Sequence, residues 1–267
     1  MKNKTLFIGV GAMGGAILRG ALQSGVLEAS NVYITERTEI KANALQKELG
    51  VNASTQLPNL EEIGLIVLGV KPQVLPQVLA NLKGVNPDTK LVSIAAGIGL
   101  DQLNSQIESS FWYRAMPNIG VSVGAGFTAI TAQDQGDVPT IVQDLFANIG
   151  EVVVVSEMDL ERIGSVCGAG IGFAFVIMDA LADAGVQIGM SRPLAIKAAA
   201  QALAGAGILA TATGEHPAVL RDKVTSPGGT TIAGISAMEK HGVRTAMKEA
   251  VFASFNKAAE LGRQDEK

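Results

Sequence analysis

The 267-residue sequence predicts an α/β protein with two domains: a doubly wound sheet over residues 1–157 and an all-α domain over residues 158–267. Three observations predict this fold class. Short apolar runs alternate with helical stretches in the first half, which is typical of parallel strands covered on both faces. Gly9, Gly11 and Gly14 form the pattern G-x-G-x-x-G directly after the first run. Beyond Ser156 the strand signals end and alanine-rich stretches follow.

The predicted elements follow in chain order. Apolar runs at residues 5–8, 32–35, 65–68 and 91–94 predict strands, and residues 111–114, 128–130 and 152–155 can add more. Helical spacing over residues 12–24 and 39–49 ends in each case at a glycine, which commonly terminates helices. Residues 173–184 and 194–212 are apolar nearly all round, which predicts helices that are buried, in part against a second subunit.

The composition limits the partners of the chain. It is 48% hydrophobic and 17% charged, with a net charge of −4 and no basic run, so neither nucleic acid nor an anionic membrane is expected. The low charged fraction indicates that a partner subunit buries part of the surface. Cys167 is the single cysteine and His216 and His241 stand far apart, so no metal site is expected.

The N-terminus resembles a signal peptide, because Lys2 and Lys4 precede an uncharged stretch up to Leu18. The glycines of this stretch weaken such a helix and fall at the spacing of a dinucleotide loop. We also expect no segment long and apolar enough to span a membrane, since the uncharged run at residues 163–178 is short and glycine-rich. A cytoplasmic protein is the prediction.

The glycine pattern predicts a dinucleotide site in a Rossmann-type domain. Gly9 permits the tight turn after the strand, Gly11 lets the backbone approach a pyrophosphate, and Gly14 lets the helix pack on the strand. A glycine-rich turn without a ligand is the alternative. The predicted cofactor-binding residues of this loop are Ile8, Gly9, Gly11, Ala12, Met13 and Gly14.

The end of the second predicted strand selects the cofactor. Glu36 lies where an acid would bond the ribose 2′-hydroxyl of NAD, whereas Arg37 and Thr38 can hold the 2′-phosphate of NADP. Solvated loop charges are the alternative for both residues. We favour NADP(H), with NAD(H) as the second possibility.

Two further strand ends carry predicted cofactor contacts. Ligands of open α/β sheets bind at the carboxyl edge of the strands, where small residues admit a nicotinamide ring. Ordinary strand-to-helix turns are the alternative. The residues concerned are Val70, Lys71 and Pro72 after one strand and Ala95, Ala96 and Gly97 after the next.

A second glycine motif lies in the predicted helical domain. Residues 224–231 read Val-Thr-Ser-Pro-Gly-Gly-Thr-Thr, and a helical pattern restarts at Thr230. Such a helix N-terminus offers free N–H donors and two hydroxyls, which suit a substrate carboxylate. Capping of the helix by Thr230 or Thr231 is the commoner explanation from chemistry alone.

With these motifs the chain resembles the pyrroline-5-carboxylate reductase family over nearly its whole length. The shared segments include Val-Lys-Pro at residues 70–72, Arg-Ala-Met-Pro-Asn at 114–118, Asp-Ala-Leu-Ala-Asp-Ala-Gly-Val at 179–186 and the motif at 224–231. The resemblance implies a Rossmann domain joined to a helical dimerisation domain, in a homodimer or a larger assembly of dimers. It implies hydride transfer from NAD(P)H to the imine carbon of 1-pyrroline-5-carboxylate, giving L-proline.

The resemblance also implies residue roles. Gly229, Thr230 and Thr231 would hold the substrate carboxylate, with the Thr231 hydroxyl near the ring nitrogen as the candidate catalytic group. Met116 and Asn118 would line the nicotinamide side, and Glu157 would lie at the edge of the pocket. Because the imine can enter protonated, no strong general acid is required, and the protein mainly positions two carbons and excludes water.

Two departures from the family pattern leave the substrate open. The family usually reads Met-Pro-Asn-Thr-Pro where this chain has Ile119 and Gly120, and Leu-Ser-Gly-Ser-Gly-Pro-Ala-Tyr where this chain reads Val-Cys-Gly-Ala-Gly-Ile-Gly-Phe at 166–173. A reductase of another imino acid and a non-catalytic nucleotide-binding regulator are therefore alternatives. A 3-hydroxyacid dehydrogenase is disfavoured, because Ala174 stands where that family places a lysine.

Overall fold

A computed structural model describes residues 4–109, 111–133 and 136–264, without side chains for 261–264. By its internal contacts the chain divides into two compact units, Met1–Ala169 with Ser254–Lys267, and Gly170–Ala253. The first unit holds the sheet, and the second is helical. The predicted boundary after residue 157 stays a prediction.

The first unit is built on an eight-stranded sheet with the order β3-β2-β1-β4-β5-β6-β7-β8. Strands β1 to β6 run parallel, β7 is antiparallel to β6, and β8 is parallel to β7. The strands are β1 (Lys4–Ile8), β2 (Val32–Thr35), β3 (Asn52–Ser54), β4 (Ile63–Leu68), β5 (Lys90–Ser93), β6 (Trp112–Pro117), β7 (Gly126–Ala132) and β8 (Gly150–Val154).

Apolar side chains on both faces of the sheet build two cores, as the runs in the sequence predict. Phe7 of β1 packs on one face with residues of helices α1, α2 and α5, whereas Leu6 and Ile8 pack on the other face with residues of α3 and α4. The helices of this unit are α1 (Ala12–Gln23), α2 (Glu39–Leu49), α3 (Leu75–Asn81), α4 (Leu100–Gln106), α5 (Thr140–Ala147) and α6 (Glu157–Ile163). The predicted α/β fold class is confirmed.

Helices dominate the rest of the chain. A π-helical turn (Gly164–Gly168) follows α6, and then come α7 (Gly170–Gln187), α8 (Arg192–Thr213), α9 (Pro217–Lys223), α10 (Thr230–Lys240) and α11 (Val243–Gln264). The core of the second unit consists of small side chains, namely Ala182, Ala195 and Ala199. These allow α7 and α8 to pack closely.

Much of the apolar surface of α7 and α8 is exposed in the single chain. More than half of the residue is exposed at Phe175 and Val176 of α7, at Leu194 and Ile208 of α8, and at Ile188 directly after α7. By length and composition two continuous helical stretches are apolar enough to cross a membrane, namely Glu157–Gln187, which comprises α6, the π-helical turn and α7, and Arg192–Thr213, which is α8. The expectation that no segment is long and apolar enough is therefore wrong. Uncovered apolar area of this extent marks a surface that another molecule covers.

Candidate active site

Five strand ends bring most of the predicted site residues of the first unit to one edge of the sheet. Strands β1, β2, β4, β5 and β6 are parallel, so the segments that follow them all leave the sheet at its carboxyl edge. Segments that follow parallel strands form the ligand crevice of open α/β sheets. The segments are Gly9–Gly14 after β1, Glu36–Thr38 after β2, Val70–Pro72 after β4, Ala95–Gly97 after β5 and Asn118 after β6.

Close backbone approach explains two glycines of the fingerprint. Gly9 has a φ of +87°, and a Cβ on it would lie 2.7 Å from Val70 Cγ1. A Cβ on Gly14 would lie 2.6 Å from the Gly9 carbonyl oxygen. Gly69, at the end of β4, was missed as a site residue although a Cβ there would lie 2.5 Å from the same oxygen. Its signal in the sequence is a glycine that directly follows a buried strand.

Gly11 differs from these glycines, because apart from its immediate chain neighbours no atom of the described residues lies within 4 Å of the place where its Cβ would be. It is the N-cap residue of α1, and this helix begins without a side-chain cap and without an acid in its first turn. Ala12 is exposed and Met13 is half-buried. The first N–H groups of α1 and the positive end of its dipole therefore face open space, which fits the pyrophosphate of a dinucleotide.

The Glu36 carboxylate turns inward at the end of β2. Its side chain is 5% exposed, and its Oε1 accepts hydrogen bonds from the Val10 N–H at 2.7 Å and from Lys41 Nζ at 2.9 Å. Arg37 and Thr38 are exposed, and Thr38 is the N-cap residue of α2. Glu36 therefore ties the glycine loop to α2, whereas Arg37 is exposed at the same loop.

The segments after β4 and β5 present backbone and small side chains. Lys71 is exposed and precedes a short 3₁₀ turn that begins at Pro72. Ala95 is buried, Ala96 is exposed, and Gly97 has a φ of +77°, which favours glycine. These features fit the close approach of a planar ring.

Glu157 is held in an ion-pair network. Arg114 of β6, whose side chain is 2% exposed, donates to Glu157 at 2.7 Å and to Glu161 at 2.6 Å, one turn further along α6. Glu157 Oε1 also accepts the Leu100 N–H at 2.7 Å, where α4 begins directly after the 95–99 loop. The predicted pocket-edge residue thus links β6, α6 and the loop that follows β5. Sequence reasoning missed Glu161, although its spacing from Glu157 signals a shared helix face.

Asn118 organises the segment after β6. Its Oδ1 accepts hydrogen bonds from the N–H groups of Gly120 at 3.0 Å and Phe127 at 3.4 Å, and its Nδ2 donates to Cys167 Sγ at 3.1 Å. A proline at position 120, as in the usual family pattern, has no N–H for this bond. Met116 packs near Gly164 of the π-helical turn. The two unusual segments of the sequence are therefore in contact with each other.

Thr230 and Thr231 begin α10 in the second unit. The N-cap residue of α10 is Gly229, and no side chain caps the helix. Both threonines are exposed, and a side chain on Gly229 would clash with Ser226 Oγ. Capping by Thr230 or Thr231 is therefore not what the structure shows, and the first N–H groups of α10 are free to bind an anion.

No metal cluster emerges in the part of the chain that the structure describes, where no three His, Cys, Asp or Glu side chains group closely enough to hold an ion.

Comparisons with known proteins agree with both halves of this description. Residues 157–261 match the family described as pyrroline-5-carboxylate reductase dimerisation, and residues 4–97 match the family described as NADP oxidoreductase coenzyme F420-dependent. The pyrroline-5-carboxylate reductase of Synechocystis sp. is 38% identical over 96% of this chain and 97% of its own length.

Solved structures give the same result. A pyrroline-5-carboxylate reductase from Coxiella burnetii superposes with a TM-score of 0.88 at 29% identity, covering 98% of this chain and 99% of that one. The Plasmodium falciparum pyrroline carboxylate reductase, solved with NADP bound, gives a TM-score of 0.84 at 26% identity over the same shares of the two chains.

Proposed function

Because the chain belongs to the pyrroline-5-carboxylate reductase family, we propose that it reduces 1-pyrroline-5-carboxylate to L-proline with NADPH or NADH. The observation that carries the proposal is that α1 and α10, the helices that follow the two glycine motifs, each begin at an N-cap glycine, Gly11 or Gly229, with no side-chain cap. Each offers free N–H groups to an anion. One suits the pyrophosphate of a dinucleotide and the other suits the carboxylate of an imino acid.

The first unit would hold the dinucleotide. The glycine loop and the first turn of α1 bind its phosphates, and Arg37 with Thr38 binds the adenosine ribose or its 2′-phosphate. The small residues at 95–97 admit the nicotinamide ring, and the Glu157 network holds that loop in place. When bound, the reduced cofactor supplies a hydride to the imine carbon. NADP(H) is favoured, because Glu36 already has protein partners.

The start of α10 would hold the substrate. The N–H groups that follow Gly229 and the Thr230 hydroxyl bind the carboxylate, and the Thr231 hydroxyl orients the ring through its nitrogen. Since the imine enters protonated, its carbon is already electrophilic and Thr231 need not donate a proton. Met116 and Asn118 belong to the first unit, where Asn118 holds the loop that it caps.

A reductase of another imino acid is the second candidate, and one observation favours it. The Asn118 amide donates to Cys167 Sγ, and the loop at 119–120 closes on Asn118 through an N–H that the usual proline lacks. Both of these contacting segments of the first unit differ from the family pattern. A substrate ring of a different shape is therefore the second candidate.

The active form is proposed to be a cytoplasmic homodimer, or an assembly of dimers, in which a second copy covers α7 and α8. The match to the dimerisation family over residues 157–261 and the exposed apolar side chains of these helices support this assembly. Burial between subunits also explains why the chain contains helices that are apolar enough to cross a membrane.

The test is a matrix of NADPH and NADH against pyrroline-5-carboxylate and related cyclic and acyclic imino acids. We expect cofactor oxidation with pyrroline-5-carboxylate. Oxidation only with a different imino acid would support the second candidate. Tight cofactor binding without turnover of any imine would contradict a reductase and favour a nucleotide-binding regulator.

Thr231→Ala separates substrate binding from cofactor binding. Loss of a hydrogen bond to a charged partner corresponds to a fall of about 10- to 100-fold in kcat/KM, and the Kd for NADPH should stay unchanged. Ser236→Ala is the matched control, because it removes an exposed hydroxyl from the same helix. Equal losses of substrate turnover and NADPH affinity would mean that Thr231 is structural.

A further inference from the structure

Glu36, the acid that follows β2, is already hydrogen-bonded to other groups of the protein. In a site that prefers NAD, an acid at this position accepts a hydrogen bond from the ribose 2′-hydroxyl. Here the side chain of Glu36 is 5% exposed, and the same oxygen, Oε1, accepts from the Val10 N–H and from Lys41 Nζ. The carboxylate is therefore directed toward the glycine loop and away from solvent.

Lys41 changes the charge at this edge. It lies in the first turn of α2, its side chain is 47% exposed, and it neutralises the one carboxylate that directly follows β2. Arg37 is exposed beside this pair. Glu39 in the first turn of α2 is exposed as well, so residues 36–41 carry no net charge, but the buried carboxylate of Glu36 is paired and Arg37 stays exposed. A 2′-phosphate carries a charge of about −1.5 to −2, whereas a 2′-hydroxyl carries none and needs an acceptor.

We propose that Lys41 determines the choice between NADP(H) and NAD(H), by pairing with Glu36 so that this carboxylate neither repels a 2′-phosphate nor accepts from a 2′-hydroxyl. Arg37 then faces the phosphate without competition from the adjacent acid. The proposal rests on the proposed use of a nicotinamide dinucleotide. It adds a specificity-determining residue that lies outside the glycine fingerprint and contacts the site through Glu36.

Removal of Lys41 should therefore act through Glu36. In Lys41→Gln the carboxylate keeps the Val10 N–H but loses its counter-charge, so a negative charge lies beside the 2′-phosphate position. Adding Glu36→Gln removes that charge, and the glutamine oxygen still accepts from Val10. The double variant should therefore recover the preference that the single variant loses, which a direct contact between Lys41 and the phosphate would not allow.

The test uses two probes that differ only in the 2′-phosphate, adenosine 2′,5′-bisphosphate and adenosine 5′-monophosphate. Their Kd values are measured calorimetrically on the full chain. We expect the wild-type chain to bind the bisphosphate more tightly and Lys41→Gln to lower the ratio of the two affinities at least about tenfold, consistent with loss of a close charge interaction. The double variant Lys41→Gln/Glu36→Gln should return to within about threefold of wild type, since the repelling charge is gone.

Lys47→Gln is the matched control, because it removes an exposed lysine from the same helix without touching Glu36. An unchanged ratio in Lys41→Gln, an equal fall in Lys47→Gln, or no recovery in the double variant would each overturn the proposal. Thermal unfolding of each variant shows that it is folded. Because neither probe is reduced or oxidised, these results are independent of whether the chain reduces an imine.

Discussion

Replacement of Glu157 and Glu161 by glutamine, singly and together, tests whether the buried Arg114 guanidinium depends on two counter-charges. Each single variant keeps one carboxylate on Arg114 and weakens one charge-assisted hydrogen bond to a neutral one, a loss of about 1 kcal/mol in the free energy of unfolding. The double variant leaves a guanidinium that is 2% exposed without any counter-charge. Breaking a buried pair in this way costs about 3–5 kcal/mol.

The side chains of Glu157 and Glu161 are 37% and 29% exposed, so water can replace part of their interaction with Arg114. The lower end of the range of about 3–5 kcal/mol therefore applies. We therefore expect a loss of about 3 kcal/mol in the double variant, against about 2 kcal/mol for the sum of the singles. The excess of about 1 kcal/mol arises because the second substitution removes the last counter-charge.

The assay is urea unfolding at one fixed subunit concentration, since association with a second copy shifts the apparent stability. Trp112 is the single tryptophan, is fully buried and lies two residues before Arg114 on β6, so its fluorescence reports on this region. Glu151→Gln, an exposed glutamate on β8, is the control.

A further variant sharpens the test. Arg114→Met added to the double variant replaces the ionic network by apolar volume, which should restore much of the lost stability. If the two single losses add to the double loss within about 0.5 kcal/mol, Arg114 does not depend on the pair and the reasoning is refuted.

Three further predictions use other parts of the chain. Gly11→Ala should change stability by less than about 1 kcal/mol but weaken NADPH binding, whereas Gly14→Ala, which forces a Cβ against the Gly9 carbonyl, should cost about 1–3 kcal/mol in urea unfolding. Ile208→Glu charges a two-thirds exposed position of α8 and should shift the chain toward monomers in analytical ultracentrifugation. Burial raises the pKa of Tyr113, so in a spectrophotometric titration its phenolate should form above the ordinary pH range of tyrosine. The free energy of unfolding should fall as pH rises above about 10, because the unfolded chain then loses this proton before the folded chain does.

The elements that the sequence predicts correctly are those whose signal is local. Uncharged runs of apolar residues give β1, β2, β4 and β5, because strands covered on both faces require apolar side chains at every position. Residues 52–54 carry no such signal: Asn-Ala-Ser forms the edge strand β3, which pairs only with β2. The reversal of β7 against β6 is likewise absent from local patterns, since strand direction depends on how the chain returns to the sheet.

The residues of the candidate site also fall into two groups, those with a local signal in the sequence and those that only the fold brings together. Glycines whose spacing reflects one tight crossing of a strand and a helix are readable from the sequence, as Gly9 and Gly14 show. The partner of Glu157 lies 43 residues earlier in the chain and the amide that it caps lies 57 residues earlier, so only the folded sheet brings them together. Sequence reasoning could place Glu157 near the site but could not show that it acts on Arg114 and Leu100.

Glu36 shows that the hydrogen-bond partners of a residue, as well as its position in the sequence, bear on the choice of cofactor. Its distance from Gly14 identifies it as the acid at the end of β2, and that distance alone favours NAD. Its partners support the preference for NADP(H) that Arg37 suggested, because the Oε1 of this carboxylate already accepts from Val10 and Lys41. A lysine one turn into the following helix is thus as informative as the acid itself. We therefore expect the Glu36–Lys41 pair, together with the glycine fingerprint, to set the cofactor preference of this chain.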